Sequence, residues 1–410
     1  MKTTKKFFDE LRTEAVGGVA YKNLHLKKKI LSYFANTGNA TIAELSKELN
    51  LSNPKISDLL AELAKEGLVS DYGKIESGVG RKPNLYGLEP NSIFFTGVEV
   101  KKNSINIGVL DFKKKLIKVS EKIPYQLSNT PESLDELCRI IQDFIHELPA
   151  LKDHIVGIGV NLSGRINYKT GYSYSFFHFS EDPLSKIIED KLGIPTYLEN
   201  DSRAMAYGEF CNGIVNDEKN VLYINIDYGI GMGIMINGQL YYGKSGFAGE
   251  FGHIPMFGNE IICHCGKKGC LETEASGQAL LQNFIARLKE GASSIVTKKH
   301  KNIQHIQLED IIEAARNDDT LAIELIAEIG EKLGKGIATL INLYNPELVI
   351  LGGTLSSTGD YLRLPVKSAI NKYSLSLVNN DTELKMSKLG AQAGIIGACL
   401  LVRDRLLTLI

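Results

Sequence analysis

His253, followed after nine residues by Cys263-His264-Cys265-Gly266-Lys267-Lys268-Gly269-Cys270-Leu271-Glu272, is the stretch on which the reading of this chain turns. Three cysteines and one histidine are the soft and borderline donors of a closed tetrahedral zinc site, and their spacing lets one tight loop bring three thiolates to a single ion. Gly266 and Gly269 give that loop the backbone freedom it needs. Reduced cysteines that merely share a loop would not call for so dense a spacing. The expected ligands of a structural Zn2+ are therefore His253, Cys263, Cys265 and Cys270. Glu250 and Gly252 stand just ahead of His253, and Glu272 follows the last cysteine, so polar groups crowd this loop.

Working outward, the chain has 410 residues, 43% of them apolar, which predicts two or three domains of roughly 80 to 200 residues with cores of their own. A formal charge of −1 excludes a chain that coats nucleic acid or acidic lipid along its length. Any nucleic-acid contact is confined to one module. Cys138, Cys211 and Cys399 stand alone in apolar or helical settings, the usage of a reducing compartment and not of a disulfide framework. Lys2, Lys5 and Lys6 are followed by Asp9 and Glu10 where a leader would carry apolar residues, and no apolar run reaches the ~18 residues of a membrane span. The expectation is a cytoplasmic protein without a membrane partner.

The first ninety residues carry 14 Lys and Arg against 11 Asp and Glu, a mild basic bias. A helix is expected from Tyr21 to Asn36. Thr41 can cap a second, with Glu44 placed for a capping box and Ile42, Leu45 and Leu49 on one face. Pro54 suits the start of a third, in which Ile56, Leu59, Leu60 and Leu63 share a face and which Gly67 ends. Leu68-Val69-Ser70 and Leu85-Tyr86-Gly87-Leu88 then read as strands around a loop with Gly73, Gly78, Gly80, Arg81, Lys82 and Pro83. Together these predict a winged helix-turn-helix, residues 1–90, that binds DNA. Ser52, Asn53, Lys55 and Ser57, with Asp58 beside them, lie on the exposed side of the third helix, and Arg81 and Lys82 on the wing can reach an adjacent minor groove. Protein docking is the other use of such a module. Lys27-Lys28-Lys29 by itself reads as a solvated helix face.

Beyond Glu89-Pro90-Asn91 one pattern occurs twice: an apolar strand ending in an acid, a turn, and two further strands. The copies run Phe94 to Glu99, Ile105 to Leu110 and Leu116 to Tyr125, then Val221 to Asp227, Gly233 to Ile236 and Gln239 to Tyr242 with an Asn237-Gly238 turn. Two related α/β lobes with a cleft between them are predicted for residues 91–410. In the first, Val156 to Val160 leads into Asn161-Leu162-Ser163-Gly164-Arg165, and a later strand ends in Glu199-Asn200-Asp201 before a helix, the place where α/β folds hold ligands. Asp201 could also simply cap that helix.

Glu199-Asn200-Asp201, Gly246-x2-Gly249-Glu250-Phe251-Gly252-His253 and the loop Cys263 to Glu272 together resemble the ROK family of repressors and sugar kinases, and the winged module ahead of them resembles its repressor branch. The resemblance covers nearly the whole chain. It implies an α/β chain of winged helix-turn-helix followed by an actin-like, ribonuclease H-like two-lobed domain, with the zinc loop at residues 253–272. It also implies Asn200, Asp201, Glu250, His253 and Glu272 as sugar contacts. The chemistry agrees: neighbouring hydroxyls of a pyranose both donate and accept, and carboxylates and amides can span such pairs. Operator DNA, a sugar or sugar phosphate effector and a homodimer or homotetramer are the implied partners.

Sugar kinases of this family carry Asp-x-Gly-Gly-Thr in the first strand turn, because glycine amides must come close to phosphates. This chain has Glu99-Val100-Lys101-Lys102-Asn103-Ser104 there, without a glycine. The second phosphate turn is Asp227-Tyr228-Gly229, with a bulky ring in place of a small hydroxyl donor. Gly352-Gly353 reads as an ordinary strand-to-helix turn. No catalytic residue is therefore expected: Asp201 stands at the kinase general-base position as a vestige. A sugar-responsive transcriptional repressor is the leading expectation, an ATP-dependent kinase of a hexose or aminosugar the alternative.

Overall fold

Thr41 starts a helix as its sequence prescribes. Its side chain accepts the Glu44 N–H at 3.3 Å while Glu44 Oε2 accepts the Thr41 N–H at 2.7 Å, a reciprocal capping box at the head of a short helix. In this computed structural model, which describes residues 3–13, 17–74, 83–300 and 302–409, that helix is one of fifteen among the described residues. The chain divides into two compact units, Met1–Asn200 with Ala398–Ile410, and Asp201–Gly397.

The first unit begins with α1 (Thr3–Thr13), α2 (Gly18–Thr37), β1 (Ala40–Thr41), α3 (Ile42–Leu49), α4 (Asn53–Lys65), β2 (Val69–Lys74) and β3 (Asn84–Leu88). Asn50 ends α3 in the left-handed region at φ 52°, Ser52 precedes α4, and Pro54 lies in its first turn. Ile56, Leu59, Leu60 and Leu63 are all buried, as their spacing requires. The strands pair antiparallel in the order β1-β3-β2, completing the winged helix-turn-helix. Gly78, Gly80, Arg81 and Lys82 of the expected wing lie outside the described residues.

One expectation fails here. Lys27 does not lie on a solvated face: it is 8% exposed and bridges α2 to α4 through Glu62 at 2.8 Å and Glu66 at 2.6 Å. Burial works against its charge, yet the two carboxylates hold its pKa above the ordinary lysine range. The periodicity of α2 places this lysine on the inner stripe with Leu24, Ile30, Leu31 and Phe34, despite its charge.

The rest of the first unit follows with β4 (Phe94–Val100), β5 (Ser104–Asp111), β6 (Leu116–Pro124), α5 (Pro131–His146), β7 (Ile155–Leu162), β8 (Ile166–Asn167), β9 (Tyr172–Ser173), α6 (Leu184–Leu192) and β10 (Thr196–Asn200). Its five-stranded sheet runs β10-β7-β4-β5-β6, with β4, β5 and β6 antiparallel and β7 and β10 parallel to β4. The winged module packs on this lobe: Ser32 Oγ donates to Leu407 O at 2.7 Å, Lys113 Nζ reaches Tyr72 OH at 2.7 Å, and Phe8 meets Phe112 edge-on.

The second unit has α7 (Asp201–Asn212), β11 (Val221–Ile226), β12 (Ile230–Ile236), β13 (Gln239–Leu240), α8 (Glu272–Ala275), α9 (Gly277–Lys289), α10 (Val296–Lys299), α11 (Leu308–Arg316), α12 (Thr320–Tyr344), β14 (Leu348–Gly352), α13 (Asp360–Tyr373), α14 (Ser376–Asn379), β15 (Glu383–Met386) and α15 (Ala393–Leu406), the last returning to the first unit from Ala398 onward. Its sheet, β13-β12-β11-β14-β15, repeats the topology of the first: an antiparallel meander, then two strands parallel to the meander's first strand. The repeat read from the sequence is thus a repeat of sheet topology. Asn237 and Gly238, with φ of 52° and 76°, make the tight turn between β12 and β13.

Candidate functional site

Gly252 fixes where the site begins. A Cβ on it would run into Ile230 O and come within 3.3 Å of the Glu272 side chain, so only glycine lets the Glu250–His253 segment lie against β12. The segment coils once, over Phe251–His253, and turns His253 toward the loop that follows. That loop folds back on itself: Met256 N–H bonds Gly269 O and Leu271 N–H bonds Ile254 O, at 2.8 and 2.9 Å, while Gly266 N–H closes on Cys263 O at 2.8 Å. Gly266 and Gly269 adopt φ of 83° and 74°, as the tight loop was expected to need.

The result gathers His253, Cys263, Cys265 and Cys270, with one donor atom from each lying within 4.8 Å of the others. Cys263 Sγ is 3.5 Å from His253 Nδ1, and Cys265 Sγ is 3.6 Å from Cys270 Sγ. A tetrahedral ion with ~2.3 Å bonds to sulfur separates its donors by roughly 3.8 Å, so the set fits a single small cation. Burial pushes the Cys263 and Cys270 thiols up, whereas at Cys265 burial, the largest single influence, is outweighed by the Lys267 N–H and the Cys263 and Cys270 thiols acting together, which draw its pKa down.

Glu272 stands against this cluster. It is 9% exposed, and its Oε2 accepts the Ile230 N–H at 3.2 Å. Its Oε1 lies 3.2 Å from Cys263 Sγ, 3.7 Å from His253 Nδ1 and 2.9 Å from His264 Nδ1. Glu250 Oε2 is 3.8 Å from the other ring nitrogen of His253. Glu250, His253 and Glu272 are thereby brought together, with one imidazole facing the sulfurs through Nδ1 and Glu250 through Nε2. His264 was missed in the sequence, although a histidine between two cysteines was the signal.

Asp201 opens α7 and accepts Ser202 N–H at 2.7 Å and Ser202 Oγ–H at 3.1 Å, and the Ser202 hydroxyl in turn receives Asn225 Nδ2 at 3.1 Å. Two residues on, the buried Arg203 donates to Gly246 O at 2.6 Å and stacks near Tyr242, tying α7 to the Gly246–Gly249 stretch. Nothing in the sequence reading picked out this arginine. Asn200 ends β10 in the first unit, where its Nδ2 donates to Gly164 O at 3.1 Å and sets it beside the Ser163-Gly164-Arg165 turn.

The turns compared with kinase phosphate loops are occupied by internal bonding. Glu99 is 1% exposed and accepts Asn106 Nδ2 at 2.6 Å across the β4–β5 pairing. Asp227 accepts Tyr228 N–H at 2.9 Å and Thr354 Oγ1–H at 2.7 Å, and burial pushes the Tyr228 phenol up to about 12. In the winged module Ser52, Asn53 and Ser57 are exposed, while Lys55 is half-buried and donates to Asn23 at 2.9 Å. Among the described residues no helix is long and apolar enough to cross a membrane.

Comparison with known families matches residues 95–405 to the ROK family. The chain belongs to the ROK family. Residues 24–70 match a winged helix-turn-helix DNA-binding family, so this ROK protein carries a DNA-binding module ahead of its two lobes. The xylose repressor of Bacillus subtilis is 30% identical over 386 residues, 94% of this chain and 96% of its own. The crystal structure of a ROK family transcriptional regulator, a homolog of the Escherichia coli MLC protein, superposes with a TM-score of 0.78 at 27% identity, covering 94% of this chain and 98% of that one. A ROK family glucokinase from Streptomyces griseus in complex with glucose and AMPPNP aligns with a TM-score of 0.67 at 26% identity over 75% of this chain and 98% of its own. The xylose repressor and the transcriptional regulator each cover 94% of this ROK protein, the kinase 75%.

Proposed function

We propose that this ROK protein is a transcriptional repressor of carbohydrate genes whose hold on operator DNA is set by a sugar or sugar phosphate. The observation that carries the reading is the presence, in one chain, of a winged helix-turn-helix and a ROK domain over the same span as the xylose repressor. Residues 1–90 form the DNA-binding module and residues 91–410 the sugar-binding domain. Ser52, Asn53, Lys55, Ser57, Arg81 and Lys82 contact DNA. Asn200, Asp201, Glu250, His253 and Glu272 contact the sugar.

His253, Cys263, Cys265 and Cys270 hold a structural Zn2+, which suits three sulfurs and a nitrogen at tetrahedral spacing. The ion supplies no step of chemistry; it fixes one face of the His253 ring so that the other, with Glu250, can meet a hydroxyl. Sugar binds one conformation of the protein better than another, and that difference in affinity moves a pair of winged modules in a cytoplasmic homodimer or homotetramer off their half-sites. Thermal-shift screening of monosaccharides, aminosugars and their phosphates, followed by mobility shift on genomic fragments with and without the hit, tests the reading. A sugar that raises the melting temperature and alters DNA retention is expected; failure to retain any fragment at low salt would overturn it.

Kinase activity is the second reading, favoured by the likeness to the glucokinase and by Asp201 at the general-base position. The glycine-free Glu99–Ser104 turn and its buried, hydrogen-bonded Glu99 speak against it. ATP consumption with a hexose panel decides: turnover at ordinary kinase rates, lost in Asp201→Asn, would establish the enzyme.

A further inference from the structure

Glu272 has more than one candidate donor for its Oε1, and they differ in what a cation does to them. Cys263 and His253 belong to the metal-binding set, so their sulfur and Nδ1 are claimed when an ion binds. His264 lies outside that set of four, although with His253 and Glu272 it makes a second group close enough to hold an ion, and its Nδ1 makes the shortest approach to Oε1, 2.9 Å. Its ring stands edge-on to His253, with centroids 5.1 Å apart, and its side chain is 74% exposed. The opposite oxygen of Glu272 is fixed by Ile230 N–H.

We propose that His264 is a positioning residue for the effector, holding Glu272 Oε1 through its Nδ1–H so that the carboxylate keeps its aim when Cys263 and His253 are committed to the cation. The inference rests on reading Glu272 as a sugar contact. Without a donor at that point a carboxylate beside cation-bound sulfur turns either into the ion's coordination shell or away from it, and in both cases a sugar hydroxyl loses its acceptor. Hydrogen bonds to a charged acceptor are among the stronger ones, although solvent around an exposed imidazole weakens this one.

The test uses the full-length protein and two variants, His264→Ala and His264→Asn, the latter because the Asn amide nitrogen occupies the place of Nδ1. Zinc per chain, melting temperature and calorimetric affinity for the sugar that most stabilises the wild type are measured together. Expected are one zinc in all three proteins, an affinity about tenfold weaker in His264→Ala, and near-complete recovery in His264→Asn. Equal affinity in His264→Ala overturns the inference while leaving the sugar reading intact. Loss of zinc in His264→Ala also overturns it, since His264 would then be a metal ligand. A wild type that binds no sugar of the panel overturns the parent reading, and this inference with it.

Discussion

At the residue scale the site depends on where two small features let backbone and carboxylate meet. Gly252 allows the Glu250–His253 coil to touch β12, and Glu272 uses the buried Ile230 N–H at the start of that strand as an anchor. Gly252→Ala should therefore lower stability by about 1 to 3 kcal/mol through forced displacement of the coil, read as a fall in melting temperature, and should reduce sugar affinity in parallel. Glu272→Gln acts differently. It keeps the shape and one accepting oxygen but removes the charge, so sugar affinity should fall by ~1 to 3 kcal/mol in calorimetry while zinc content stays at the wild-type value. Equal affinity in the Gln variant would remove Glu272 from the sugar contacts.

At the element scale, short helices owe their existence to their ends. The α3 helix has eight residues, and its Thr41–Glu44 box satisfies two backbone donors at once. Thr41→Ala should cost about 1 kcal/mol, measured by chemical denaturation. The Thr41 backbone N–H and side-chain hydroxyl hold the Glu44 pKa below the usual glutamate range. A carboxyl depressed in the folded state adds stability that is complete above the ordinary pKa near ~4.3 and is lost as pH falls through the folded value. The variant should thus lose less stability than the wild type on acidification below about pH 4. Thr41, Glu44, Pro54 and the apolar repeat of α4 were legible because capping and periodicity are local. Lys27 was not, because its partners Glu62 and Glu66 lie more than thirty residues away and only the packed helices bring them to it. The gathering of His253 with the three cysteines was legible for the same reason as the cap: the four donors and two glycines lie within one short stretch. His264 and Arg203 act through partners, Glu272 and Gly246, that spacing alone does not supply.

At the scale of the molecule, two units carry the same sheet topology, and the repeated strand pattern in the sequence announced it. What could not be read was the return of the last thirteen residues to the first unit, where Cys399 Sγ–H meets Phe95 O at 3.2 Å and Leu407 O receives Ser32. From Ala393 to Val402 the helix that carries most of them is apolar on all sides, and a helical stretch without a polar face names no partner. The metal-binding donors, by contrast, all fall within Asp201–Gly397. Removing the cation leaves the loop with a few backbone bonds, at Met256, Cys263 and Leu271, and leaves three sulfurs crowded together. Calorimetric unfolding after treatment with a chelator should then show the second unit melting several degrees lower, less than the full worth of a structural zinc because those bonds persist. The first unit, which contains none of the donors, should keep its transition, and sugar should no longer raise either one. A protein freed of metal that melts as before and still responds to its sugar would show that the four donors neither brace the fold nor aim the site.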